Sequence, residues 1–136
     1  MARTTGFDHV ATVTADLDQI AAFYQGVFDA RVTFEMAATE THPRMVILDL
    51  GGSALNITEQ AEDTIIGERG RPGARGPIDH YGIGVAARTD LDDIRRRLVE
   101  AGIDVGDIQR LGDTWSLFFR DPDGMELEVC TRVEQP

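Results

Sequence analysis

The sequence predicts an α+β fold: two tandem βαβββ modules forming a cupped mixed β-sheet with helices on the outer face. Three observations predict it. First, "FDHV" at 7–10 returns as "IDHY" at 78–81, and "ADLDQI" at 15–20 returns as "TDLDDI" at 89–94, so the chain repeats itself with a short insertion. Second, "GGSALNIT" at 51–58 aligns with "PDGMELEV" at 122–129, which sets Asn56 against Glu128. Third, each half opens with a period-two stretch, passes through a stretch of helical spacing and ends in β-rich pieces.

Residues 1–60 are the first module. "FDHVATV" is its opening strand, and the helix follows in "TADLDQIAAFYQGVFDA". There Leu17, Ile20, Ala21, Tyr24 and Phe28 recur at helical spacing, and Thr14 or Asp16 caps the start. "RVTFEM", "RMVILDL" and "SALNIT" are its remaining strands, with "AATETHPR" at 37–44 an irregular loop. Residues 61–76, rich in Gly, Pro and charge, read as a linker. The second module, 77–136, opens with "HYGIGVA". Its helix "TDLDDIRRRLVEAG" puts Leu91, Ile94 and Leu98 on one face, with Thr89 or Asp90 as cap and Gly102 as stop. A short strand near Val105, then "TWSLFF" and "MELEVC", complete it.

Composition narrows the chemistry. A length of 136 residues fits one compact domain of two small modules. A net charge of -11 argues against nucleic acid or an anionic membrane as partner, since both attract positive charge. All 13 basic residues are Arg, which excludes a Schiff-base lysine. The single cysteine, Cys130, fits a reducing compartment and reads as a small buried residue. No apolar run approaches the ~20 residues of a membrane helix, and "MARTTGFDHV" lacks the apolar stretch of a signal peptide, so a cytoplasmic location is expected.

Strand parity places the candidate site. In the two opening strands His9 shares a face with Ala11 and Val13, and His80 shares one with Gly82, Gly84 and Ala86. The branched residues of the second strand cover its helix, which leaves both histidines on the concave face beside small residues. Met125, Leu127 and Val129 should likewise meet helix, so Glu126, Glu128 and Cys130 line the concavity, with Asn56 at the matching position of the first module. Two imidazoles and a carboxylate form the set that binds Fe(II), Mn(II) and their neighbours with coordination positions left open.

Paired βαβββ units, a "DH" opening strand in each and the closing run "FFRDPDGMELEV" resemble the vicinal oxygen chelate superfamily from about Phe7 to Arg132. That group includes glyoxalase I, fosfomycin- and bleomycin-resistance proteins, methylmalonyl-CoA epimerase and extradiol dioxygenases. The resemblance implies that His9, His80 and Glu128 are metal ligands for a divalent ion (Fe, Mn, Zn, Ni or Co). Asn56 stands where some members carry a Glu or Gln ligand; being shorter and a poor ligand, it makes this chain more similar to the three-ligand members. The implied function is a metal-dependent dioxygenase, lyase or isomerase that chelates a small oxygenated substrate through adjacent oxygens. The alternative is a metal-independent sequestering protein of the bleomycin-resistance type, whose cationic ligand would suit an acidic chain. A homodimer is implied in either case.

Weaker signals are set against these. "GIGVAA" at 82–87 fits a nucleotide fingerprint, but the matching stretch of the first module is plain "ATVTAD". "DPDG" lacks the later ligands of a calcium loop. His42 is expected in solvent or over the substrate, Phe118 at the pocket wall and Glu126 wet at the rim. Arg69, Arg71 and Arg75 in the linker are the candidates for meeting an anionic group.

Overall fold

The computed structural model describes residues 9–62 and 80–134. The expected strand start at Phe7 and the linker arginines Arg69, Arg71 and Arg75 lie outside them. The chain divides into two compact units, Met1–Ile66 and Gly67–Pro136.

In the first unit β1 (His9–Thr14) leads into α1 (Leu17–Phe28), followed by β2 (Arg31–Met36), β3 (Met45–Asp49) and β4 (Ala54–Glu59). The sheet order is β1-β4-β3-β2. β1 runs parallel to β4, as a strand joined through a helix can, and the β2–β3 and β3–β4 pairs are antiparallel. Asp16 caps α1, accepting a hydrogen bond from Gln19 N at 3.0 Å, while Thr14 Oγ1 supports the Asp16 amide. The helix buries Leu17, Ile20, Phe23, Tyr24 and Val27 against the sheet. Phe23 and Val27 thus replace the expected Ala21 and Phe28: the buried stripe is centred a little off the expected one, and Phe28 lies half-buried at its margin, stacked on Tyr24. Leu48, Leu55 and Ile57 close that core from the sheet side.

The second unit repeats the plan with β5 (Tyr81–Gly84), α2 (Arg88–Glu100), β6 (Gln109–Leu111), β7 (Thr114–Arg120) and β8 (Glu126–Arg132). Its order, β5-β8-β7-β6, matches the first, with β5 parallel to β8. Leu91 and Leu98 of α2 pack with Leu117, Leu127 and Val129, all fully buried. The helix ends as Gly102 was expected to end it: its φ is +76°, Gly102 N donates to Val99 O, and Ile103 N donates to Leu98 O.

Two local expectations are corrected. The residue before α2 is Ala87, so Thr89 and Asp90 lie inside its first turn rather than capping it. Asp90 Oδ2 accepts from Ala87 N at 2.9 Å, one half of a capping box whose other half an alanine cannot make. The strand expected near Val105 is a single bridge to Phe119, and the edge strand lies at Gln109–Leu111 instead. No helix among the described residues is long and apolar enough to cross a membrane.

Candidate metal centre

The two sheets carry the candidate side chains in equivalent registers. In the first unit Ala11 stands opposite Asn56, and Asn56 stands opposite Ile47. In the second Gly82 stands opposite Glu128, and Glu128 stands opposite Phe118. The alignment of Asn56 with Glu128, drawn from the repeat, therefore holds strand by strand. Period-two burial confirms the facing: Leu127 and Val129 are fully buried in the core, and Glu126, Glu128 and Cys130 are half-buried on the other face.

Within the second unit, His80 Nε2 and Glu128 Oε2 lie 3.3 Å apart. His80 precedes β5 and Glu128 sits near the middle of β8, so the sequence separation is closed by a single parallel strand pair. The Phe118 ring meets the His80 imidazole edge-on, with centroids 5.6 Å apart at 77°. Ser116, buried completely, donates its hydroxyl to Glu128 Oε1 at 2.5 Å. A Cβ added to Gly82 would meet only Cys130 Sγ and Glu128 O, at 3.8 and 3.9 Å, and one on Gly84 would meet nothing. The strand beside the carboxylate thus leaves space above it.

The Cys130 thiol shares this face. Burial, and after it the neighbouring Glu128 carboxylate, pushes its pKa up, so it stays protonated as a small filler rather than a ready nucleophile. Beyond Phe118, a cavity of about 320 Å³ is lined by Asp104, Phe118, Phe119, Arg120 and Glu126. Glu126, expected wet at the rim, is half-buried there opposite Arg120 across the strand pair.

The first unit presents different chemistry. His9 is exposed at the start of β1. Asn56 Oδ1 is buried with no hydrogen-bond partner. His42 is exposed, its Nδ1 donating to Pro43 O at 2.6 Å and its amide to Thr39 Oγ1, so the ring belongs to its own loop. Among the described residues of either unit, no three His, Cys, Asp or Glu side chains converge. The second unit brings together two of the three expected ligands, His80 and Glu128. That donor pair fits a divalent ion: a neutral imidazole nitrogen and a carboxylate oxygen, close enough to share one cation. The same contact is an ion pair whenever the imidazole is protonated.

Sequence reasoning missed two residues that shape the site. Ser116 carries no periodic signal, although its parity with Phe118 places it on the right face. Asp121 reads as part of a turn, yet the residue is buried and its Oδ1 accepts from Asp123 N at 2.9 Å and Met125 N at 3.0 Å. With Gly124 at φ +79°, it sets the turn from which β8 begins, two strand positions short of Glu128.

The family model for the glyoxalase/bleomycin resistance protein/dioxygenase superfamily matches residues 6–129. No curated protein sequence matches the chain. Among solved structures, a glyoxylase/bleomycin resistance protein/dioxygenase domain from Frankia sp. EAN1pec is 27% identical, with a TM-score of 0.81, covering 96% of this chain and 99% of that one. The genomically encoded fosfomycin resistance protein FosX from Listeria monocytogenes is 18% identical, with a TM-score of 0.72 over 94% of this chain and 93% of its own. A variant of that Listeria protein, crystallised with Mn(II) and 1S,2S-dihydroxypropylphosphonic acid, superposes at a TM-score of 0.74 with 16% identity, over 98% and 95% of the two chains. With the βαβββ unit present twice and the match spanning nearly its whole length, the chain belongs to the glyoxalase/bleomycin resistance protein/dioxygenase superfamily, the vicinal oxygen chelate family.

Proposed function

We propose that the chain is a divalent-metal-dependent enzyme acting on a small oxygenated molecule, with His9, His80 and Glu128 as the metal ligands. The observation that carries this reading is the approach of His80 Nε2 to Glu128 Oε2 on the open face of the second sheet. A bound divalent ion would supply Lewis acidity to two adjacent substrate oxygens and stabilise negative charge developing on them. His80 is steadied by the edge of Phe118 and Glu128 by Ser116, so little reorganisation is needed to hold a cation. The cavity beyond Phe118 offers the rest of the substrate one guanidinium and two carboxylates, suited to a ligand with both hydrogen-bond donors and acceptors. Asn56, an amide, leaves no carboxylate at that position to shuttle protons.

The expected working form is a cytoplasmic homodimer. Metal analysis of untagged protein is the test: about one divalent ion per chain is expected, with His80→Ala losing it. Absence of stoichiometric metal in the wild type, or undiminished binding in His80→Ala, overturns the proposal. The net charge of -11 favours a second reading, sequestration of a cationic ligand without metal, which predicts ligand binding unaffected by chelators.

A further inference from the structure

The two carboxylate oxygens of Glu128 have different neighbours. Oε1 accepts the Ser116 hydroxyl at 2.5 Å, and Oε2 faces His80 Nε2 at 3.3 Å. Ser116 stands opposite Cys130 and Glu128 opposite Phe118, so the hydroxyl reaches diagonally across the β7–β8 pair. Its 0% exposure keeps water from taking its place, and Glu128 itself is only 18% exposed. The first repeat lacks this arrangement. Ile47 opposite Asn56 matches Phe118 opposite Glu128, which puts Met45 at the position of Ser116. A hydroxyl therefore accompanies the carboxylate, whereas the unit with methionine leaves Asn56 Oδ1 without a partner.

We propose that Ser116 is a positioning residue for Glu128: by engaging Oε1 it fixes the rotation of the carboxylate and presents Oε2, beside His80, as the single oxygen offered to a divalent cation. The inference rests on the reading of Glu128 as a metal ligand. A carboxylate's last torsion is broad and roughly two-fold, so without a fixed partner both oxygens exchange and the group samples orientations turned away from His80. Residues that orient a ligand from behind are worth about 10–100-fold in metal affinity when removed.

Calorimetric titration of Mn(II) into the full-length wild type, Ser116→Ala, Ser116→Thr and Glu128→Gln, with the Tm of each metal-free protein, tests it. Ser116→Ala is expected to bind Mn(II) about 10–100-fold more weakly than wild type, Ser116→Thr to recover most of the loss because it keeps the hydroxyl, and Glu128→Gln to bind weakest. Should Ser116→Ala bind as tightly as wild type while Glu128→Gln loses the ion, the role of Ser116 is overturned and the metal reading survives. Equal weakening in Ser116→Ala and Ser116→Thr traces the loss to packing and also overturns it. A wild type that takes up no Mn(II) brings down both.

Discussion

Asp49 shows what a single carboxylate does outside the candidate centre. Its side chain accepts from the Arg31 guanidinium at 2.8 Å and from the amides of Gly51 and Gly52, which occupy φ of +99° and +109° in the turn between β3 and β4. The Arg31 hydrogen bond first, then the two amides, hold its pKa down at about 2. A carboxyl depressed below its unfolded value of about 3.9 adds stability that is present above that value and lost as pH falls through the folded one. Asp49→Asn is therefore expected to lower the Tm by a constant amount at neutral pH, with the gap to wild type closing below about pH 4 and gone near pH 2. Thermal melts across that range check it; a gap independent of pH would refute it. Such residues differ in legibility. Glu128 was readable because two-residue periodicity fixes its face and the repeat fixes its counterpart, Asn56. Ser116 was not: a serine in a strand has no pattern of its own, and its partner lies across a hairpin whose register the sequence does not state.

The two helices occupy the same place in their units but begin differently. α1 has Asp16, whose side chain satisfies the Gln19 amide, and Glu59 Oε2 reaches from β4 to accept from Leu17 N at 2.9 Å. α2 begins after Ala87, which has no side-chain acceptor, and Asp90 compensates only in the backward direction. The sequence suggested Thr89 or Asp90 because both are good caps, but the burial of Leu91 fixes the rotation of the helix and carries its first turn back to Arg88, whose guanidinium lies 5.1 Å from the Trp115 ring centre. Packing thus outranked capping preference. Ala87→Ser would add a side-chain acceptor for the Asp90 amide, which donates to the Ala87 carbonyl at 3.1 Å, and complete the box. A stabilisation of about 0.5–1 kcal/mol is expected in urea unfolding, with the m-value unchanged. No gain, or a loss, would mean that a side-chain acceptor at 87 cannot reach that amide.

At the scale of the whole molecule the repeat is the organising fact. Both units have the same strand order and parallel closing pair, and the positions facing Asn56 and Glu128 correspond one for one. The fold was legible for that reason, since two copies of a weak pattern reinforce each other where one would be ambiguous. The edge strands were less so: β6 has three residues, all exposed, and little hydrophobic patterning can mark such a strand. The repeat also divides the proposed ligands unequally, His9 on the first unit and His80 with Glu128 on the second. If His9 completes the centre, Mn(II)-loaded wild type should show nitrogen couplings from two imidazoles in pulsed electron paramagnetic resonance, and His9→Ala from one. The metal affinity of His9→Ala should fall, while the His80–Glu128 pair retains weak binding, since fewer charged or basic donors remain to offset desolvation of the ion. An unchanged two-imidazole signature in His9→Ala would remove that histidine from the ligand set, and would turn the search to His42, whose ring is held by its own loop through the Pro43 carbonyl.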